Sequence, residues 1–105
     1  MIGEINMLNL NKTVEGTKVK FDLEGRLDTI TSPELEEAIQ GSVTDATELV
    51  LDFEKLEYIS SSGLRVLLAA QKIMSKQGSM VVTNVNETIQ EIFEVTGFSD
   101  ILTIE

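Results

Sequence analysis

Hydrophobic and charged residues alternate most clearly near the start of the chain. Val19, Phe21 and Leu23 are separated by charged side chains, and this period of two predicts a strand with one buried face. A weaker alternation from Ile5 to Val14 predicts an earlier strand. Because Gly16 lies between the two runs and tolerates a positive φ, we expect an antiparallel hairpin at the front of the fold.

The next segment has the signals of a helix start. Residues 25–28 are expected to leave the strand, and Thr31 or Ser32 is expected to cap a helix with Pro33 in its first turn. Apolar residues then recur at helical spacing until Gly41, at Leu35, Ala38 and Ile39. One face of this helix should pack while the other contacts water.

Five further segments complete the pattern. The apolar run over residues 49–53 predicts an inner strand covered by helices. Residues 62–78 predict a helix with a wide apolar surface, expected to be the most buried one. A second inner strand is predicted over 80–82, a helix closed by a glycine over 89–97, and an edge strand over 101–104.

Alternating strands and helices indicate parallel strands joined by right-handed crossovers. We therefore predict an α/β fold, in which a mixed four- to five-stranded sheet opens with an antiparallel hairpin and continues with β-α units whose helices pack on the sheet. At 105 residues, a single domain over residues 1–105 is expected.

Composition narrows the chemistry. The formal charge of −10, from 18 acidic and 8 basic residues, argues against binding to nucleic acid or to anionic membranes. With no secretory signal and no apolar run of membrane-spanning length, a cytoplasmic protein without membrane insertion is expected. The absence of cysteine and histidine removes thiol catalysis and the commonest general base and metal ligand. We expect no cofactor, no metal and no enzyme activity.

Acidic residues cluster over residues 22–28 and 52–57. Alternation places Asp22 and Glu24 on one exposed strand face, where solvated charge is the favoured interpretation. Asp52 is expected to be a partly buried acid at a strand end. No glycine-rich phosphate-binding motif is present, and a serine hydrolase would lack its histidine. An enzyme is therefore the weakest hypothesis.

The most distinctive segment is residues 58–64, YISSSGL, where an inner strand is expected to lead into the most buried helix. Serines are preferred N-caps, and position alone favours that structural role. A phosphoryl group here would leave the fold intact, because a helix N-terminus favours an anion, but it would repel a bound partner. Noncovalent nucleotide binding at the 60–63 turn stays open.

Three segments together resemble the landmarks of STAS domains, specifically those of bacterial anti-sigma-factor antagonists. They are residues 25–35 (GRLDTITSPEL), 51–67 (LDFEKLEYISSSGLRVL) and 92–98 (IFEVTGF). The resemblance covers essentially the whole chain, in order and at suitable separations. It implies the STAS fold.

The resemblance also implies a phosphorylation switch. In this family an antagonist binds an anti-sigma factor, and the anti-sigma factor is itself a serine kinase of the GHKL ATPase type. This binding frees the sigma factor to regulate transcription. The kinase phosphorylates the antagonist and releases it, and a PP2C-type phosphatase restores it. The matching phosphorylated residue is Ser61. Family members often carry Asp just before this serine, whereas this chain has Ser60. Ser60 is therefore the second candidate for the phosphorylated residue.

The partner-binding surface implied by the resemblance combines a loop, a turn and a helix start: Asp28, Thr29, Ile30, Ser60, Ser62, Gly63 and Arg65. The alternative is a STAS module that is not phosphorylated and acts as a scaffold in a signalling or membrane transport complex. Acceptance of phosphate by a serine distinguishes the two.

Overall fold

A computed structural model describes residues 8–105, so the part of the first predicted strand before Leu8 lies outside the described residues. The elements are β1 (Leu8–Glu15), β2 (Lys18–Leu27), α1 (Ser32–Gln40), β3 (Glu48–Ile59), α2 (Ser61–Ser75), β4 (Ser79–Thr83), α3 (Glu87–Thr96), a 3₁₀ turn (Phe98–Asp100) and β5 (Thr103–Ile104). This order confirms the predicted alternation of strands and helices.

The strands form one sheet in the order β1-β2-β3-β4-β5. β1 pairs with β2 antiparallel, and every later neighbour pairs in parallel. The mixed sheet is therefore confirmed, with five strands in the described part of the chain. At the hairpin turn Gly16 has a φ of 62°, as predicted for that position.

Within residues 8–105, the helices cover one face of the sheet and leave the other open. In β2, β3 and β4 buried residues alternate with exposed or half-buried ones. All three helices contribute to the same apolar core, whose largest buried side chains include Phe21, Phe53, Phe93, Leu51, Leu67 and Met74. The expectation of an inner strand covered by helices holds for one face only, since Val50 and Asp52 are half-buried on the open face.

The strands at the centre are longer than predicted. β3 continues past Phe53 to Ile59 because Leu56 and Ile59 keep adding buried side chains. β2 does not end near Gly25 but continues to Leu27. Its pairing register with β3 shifts twice along the way. Asp52 therefore lies inside a strand and not at a strand end. The helix predicted over 62–78 ends at Ser75.

The connection from α2 to β4 is tightly packed. The Gln77 side-chain amide donates hydrogen bonds to the carbonyls of Val43 and Ala46, at 2.6 and 2.7 Å. Gly78 lies against Thr47, and a Cβ on Gly78 would stand 1.9 Å from the Thr47 carbonyl oxygen. Glycine is needed here because of this close approach of two backbone segments.

We predict that Gly78→Ala lowers the free energy of unfolding by about 2 kcal/mol or more, because the backbone must move to admit the methyl group. Gly41→Ala is the matched control, since Gly41 has a φ of −78° and its Cβ would lie 3.4 Å from the nearest atom. Urea unfolding measures both changes. Equal destabilisation by the two variants would contradict this account of Gly78.

Candidate functional site

The two strands at the centre of the sheet end side by side. Because β2 and β3 are parallel, their carboxyl ends meet at one edge, where Leu27 pairs with Ile59. The Ser60 amide donates a hydrogen bond to the Leu27 carbonyl at 2.9 Å. We call the loop 28–31 and the turn 60–65 at this place the carboxyl edge.

The loop after β2 is held by its own hydrogen bonds. One carboxylate oxygen of Asp28 accepts from the amides of Ile30 and Thr31, at 3.0 and 3.1 Å. The Thr31 hydroxyl donates to the Arg26 carbonyl at 2.8 Å. Thr31 occupies the N-cap position of α1, which confirms the prediction, although its side chain makes no capping hydrogen bond to the helix. The ordered loop leaves Ile30 70% exposed.

Asp28 is held in its charged form. Partial burial raises its pKa, but the hydrogen bonds from the amides of Thr31 and Ile30, the Thr31 hydroxyl and the charge of Arg26 outweigh that effect. The net result is a pKa below the ordinary value of 3.8. The Arg26 Nε lies 3.9 Å from the second carboxylate oxygen.

Ser60 caps helix α2. Its backbone is extended (φ −99°, ψ 177°) and its hydroxyl oxygen accepts from the Gly63 amide at 3.4 Å. This confirms the structural role for a serine in the turn. Serine and aspartate are both preferred caps, so Ser60 keeps the capping role where family members often carry Asp.

Gly63 lets the start of α2 approach the strand ends. It is buried, and a Cβ at this position would lie 2.8 Å from Ile59 Cγ1 and 2.9 Å from Leu27 Cγ. Gly63 is therefore a buried part of the carboxyl edge and is not exposed on its surface.

Ser61 is the first residue of α2, and its side chain is exposed. Ser62 is half-buried, and its hydroxyl lies 3.3 Å from the Thr29 hydroxyl. Arg65 is exposed one turn farther along the helix. The first turn of α2 contains no acidic residue, so the helix dipole acts on an anion at Ser61 without a nearby opposing carboxylate in that turn.

The structure thus brings the residues of the implied binding surface to one edge of the sheet. Thr29, Ser62 and Arg65 line one groove between α1 and α2. Asp28 and Ile30 occupy the neighbouring loop, and Ser60 and Gly63 form the turn beneath.

Sequence reasoning missed an aromatic contact beside this edge. The Arg26 guanidinium lies 4.5 Å from the centre of the Tyr58 ring, a favourable cation–π arrangement. The two residues are cross-strand partners. The strand register that joins them depends on two shifts at which β3 has one residue more than β2, and the residue pattern carries no signal for these shifts.

Within residues 8–105, no cluster of acidic side chains has the arrangement of a metal site. In the same residues, no helix has the length and apolar character needed to cross a membrane.

Comparison with known sequences supports the resemblance. The family model described as STAS domain matches residues 9–105. A Bordetella bronchiseptica protein named as the anti-sigma factor antagonist BtrV is 34% identical over 84 residues, covering 78% of this chain and 72% of that protein. An anti-sigma-B factor antagonist of Staphylococcus aureus is 28% identical over 97 residues, covering 90% of each chain.

Solved structures confirm the predicted STAS fold. An anti-sigma factor antagonist from Mycobacterium paratuberculosis matches with a TM-score of 0.87 at 22% identity, over 98% of this chain and 89% of that one. The antagonist SpoIIAA in its unphosphorylated form matches with a TM-score of 0.69 at 21% identity, over 94% and 87% of the chains. The phosphorylated form of Bacillus SpoIIAA gives 0.68 at 22% identity, over 94% and 91%.

The lowered pKa of Asp28 predicts a pH-dependent contribution to stability. A carboxylate with a depressed folded pKa stabilises the fold above its unfolded pKa, and this contribution is lost as the pH falls through the folded pKa. At about pH 7, Asp28→Asn should therefore lower the free energy of unfolding by about 1–2 kcal/mol. The difference from wild type should shrink as the pH falls below 3.8.

Denaturant unfolding across this pH range measures the effect. Asp22→Asn serves as the control, because the Asp22 side chain is 46% exposed on the open sheet face. A gap between wild type and Asp28→Asn that stays constant down to strongly acidic pH would contradict the assignment.

Proposed function

The chain belongs to the STAS domain family, and from this premise we propose that it is an anti-sigma factor antagonist whose partner binding is controlled by phosphorylation of Ser61. Its matched relatives carry the name anti-sigma factor antagonist. Members of this family are regulatory binding proteins and not enzymes. This chain is therefore a regulatory binding protein.

The observation that carries the proposal is the different environment of three adjacent serines. The Ser60 hydroxyl caps α2, and the Ser62 hydroxyl lies within hydrogen-bond distance of Thr29. The Ser61 side chain is exposed, which is what a kinase needs in a protein substrate. Accessibility therefore favours Ser61 over Ser60 as the phosphate acceptor.

The position of Ser61 favours a change in binding without a change in fold. A phosphoryl group adds about −1.5 to −2 charge, and the amides at the start of α2 stabilise it. SpoIIAA, a protein of the same fold, has been solved in unphosphorylated and phosphorylated forms, which match this chain with TM-scores of 0.69 and 0.68.

The proposed partner is an anti-sigma factor that is also a serine kinase of the GHKL ATPase type, bound in the cytoplasm. Ile30, an exposed apolar side chain on an ordered loop, would pack against it beside Ser61. A phosphate at Ser61 would then lie at the interface with the partner. It would weaken binding by charge repulsion and by the cost of removing its hydration. A PP2C-type phosphatase would reverse the modification.

The second candidate is a STAS scaffold that binds its partner constitutively. Its favouring observation is Ser60, because the usual Asp before the phosphorylated serine is absent. Phosphate mapping separates the two functions.

We predict that the protein purified from its own cells, with phosphatases inhibited, carries phosphate on Ser61. Peptide mass spectrometry locates the group, and the signal should disappear in a Ser61→Ala strain. Phosphate on Ser60 would keep the mechanism and move the site. Absence of phosphate in every growth phase and stress would favour the scaffold.

We predict opposite effects of two substitutions on binding to the anti-sigma factor. Ser61→Ala should bind persistently, since it accepts no phosphate, whereas Ser61→Asp should bind at least tenfold more weakly because of the added charge. Circular dichroism should show both variants folded. Ser79→Asp is a matched control, because Ser79 is exposed at the start of β4, at the opposite end of the sheet.

Calorimetry measures the affinities. Wild-type affinity for Ser61→Asp would contradict a switch at this residue. Equal weakening by Ser79→Asp would assign the effect to net charge and not to the position of Ser61.

A further inference from the structure

Helix α2 differs from the rest of the chain in charge. Its fifteen residues, Ser61–Ser75, contain no aspartate or glutamate, although the whole chain has 18 acidic residues. By contrast, α1 contains three glutamates and so does α3. Helix α2 therefore presents basic side chains without acidic ones, in a chain that is acidic as a whole.

The basic residues of α2 lie on one side of the helix. Ser61, Arg65, Leu68 and Lys72 follow one another at intervals of three or four residues, and Lys76 continues the series just past the helix end. Residues at this spacing share a helix face. The three basic side chains are exposed and Leu68 is half-buried. We call these five residues the α2 stripe.

The basic residues of the α2 stripe form no ion pair within the described part of the chain. The ion pairs found there involve Lys20 and Arg26, and none involves Arg65, Lys72 or Lys76. Among the described residues that line the groove between α1 and α2, Glu36 is the single acidic one, and Arg65 and Lys72 are the basic ones. The groove keeps a surplus of one positive charge, beside the apolar side chains of Val66 and Leu68.

We infer that the α2 stripe docks an acidic segment of the partner protein, with carboxylates on Arg65 and Lys72 and an apolar side chain against Leu68. This inference rests on the proposed function, because it specifies the chemistry of the partner that binds at the carboxyl edge. Charge complementarity of this kind sets the association rate and suppresses wrong partners. Three cations in a chain of net charge −10 match a small acidic protein surface better than a membrane or a nucleic acid.

The α2 stripe also connects phosphorylation to release. Ser61 and Arg65 are four residues apart on one helix face, so a phosphate on Ser61 would lie next to the first cation of the stripe. The phosphate would oppose the charge of Arg65 and repel an acidic partner at the same time. Release would thus be electrostatic and sensitive to salt.

The first test uses a defined probe, poly-L-glutamate, added at low ionic strength to the ¹⁵N-labelled full chain. We expect NMR shifts concentrated on residues 61–76, and their loss when salt is added. Arg65→Glu/Lys72→Glu should bind the probe about tenfold more weakly. Lys18→Glu/Lys55→Glu, with the same change in net charge at exposed residues of β2 and β3, should retain most of the binding.

Three results would overturn the inference: no shifts, shifts outside the α2 stripe, or equal losses in the two double variants.

Anionic vesicles of phosphatidylglycerol are added as a competing probe. Stronger binding to these vesicles than to poly-L-glutamate, lost in Arg65→Glu/Lys72→Glu, would assign the α2 stripe to a membrane and also overturn it.

The second test repeats the comparison with the purified anti-sigma factor. Weakening by about tenfold in Arg65→Glu/Lys72→Glu but not in the control would support the inference. Equal binding by wild type and both variants would refute the α2 stripe while the antagonist function stands. Failure of the wild-type chain to bind any anti-sigma factor would refute the proposed function, and the poly-L-glutamate result would still decide the inference.

Discussion

The parallel pairing of β2 with β3 is the constraint on which the rest of the structure depends. It ends both strands at the same edge, and the hydrogen bond from the Ser60 amide to the Leu27 carbonyl joins the chain segments that leave them. Gly63 then allows α2 to begin directly over the strand ends. A loop and a turn more than thirty residues apart in the sequence become one surface.

Folding and the proposed partner binding use different atoms of this surface. The carboxylate of Asp28, the hydroxyl of Ser60 and the missing side chain of Gly63 stabilise the local structure. The side chains of Ile30 and Ser61 are exposed above them. Such an arrangement suits a regulatory domain, because a charge can be added to the exposed layer while the supporting contacts below it stay in place.

The order of elements and the location of the carboxyl edge could be predicted because they depend on local periodicity and chain direction. Alternation in β2 and the wide apolar face of α2 are local features that the fold preserves. The one-sided cover of β3 could not be predicted, because Val50 is apolar and yet faces outward. The contact between Arg26 and Tyr58 could not be predicted either, because it depends on the shifted register of two paired strands that are far apart in the sequence.

The hydroxyl of Ser61 lies apart from the contacts that stabilise the fold, and this has a consequence for protein turnover. Cellular proteases act on the unfolded fraction, which depends on the free energy of unfolding. If phosphate changes that free energy little, the two forms should be degraded at similar rates. Under the proposed switch, the amount of the protein would then stay constant through cycles of modification, and a cell would change the active fraction without having to synthesise the protein again.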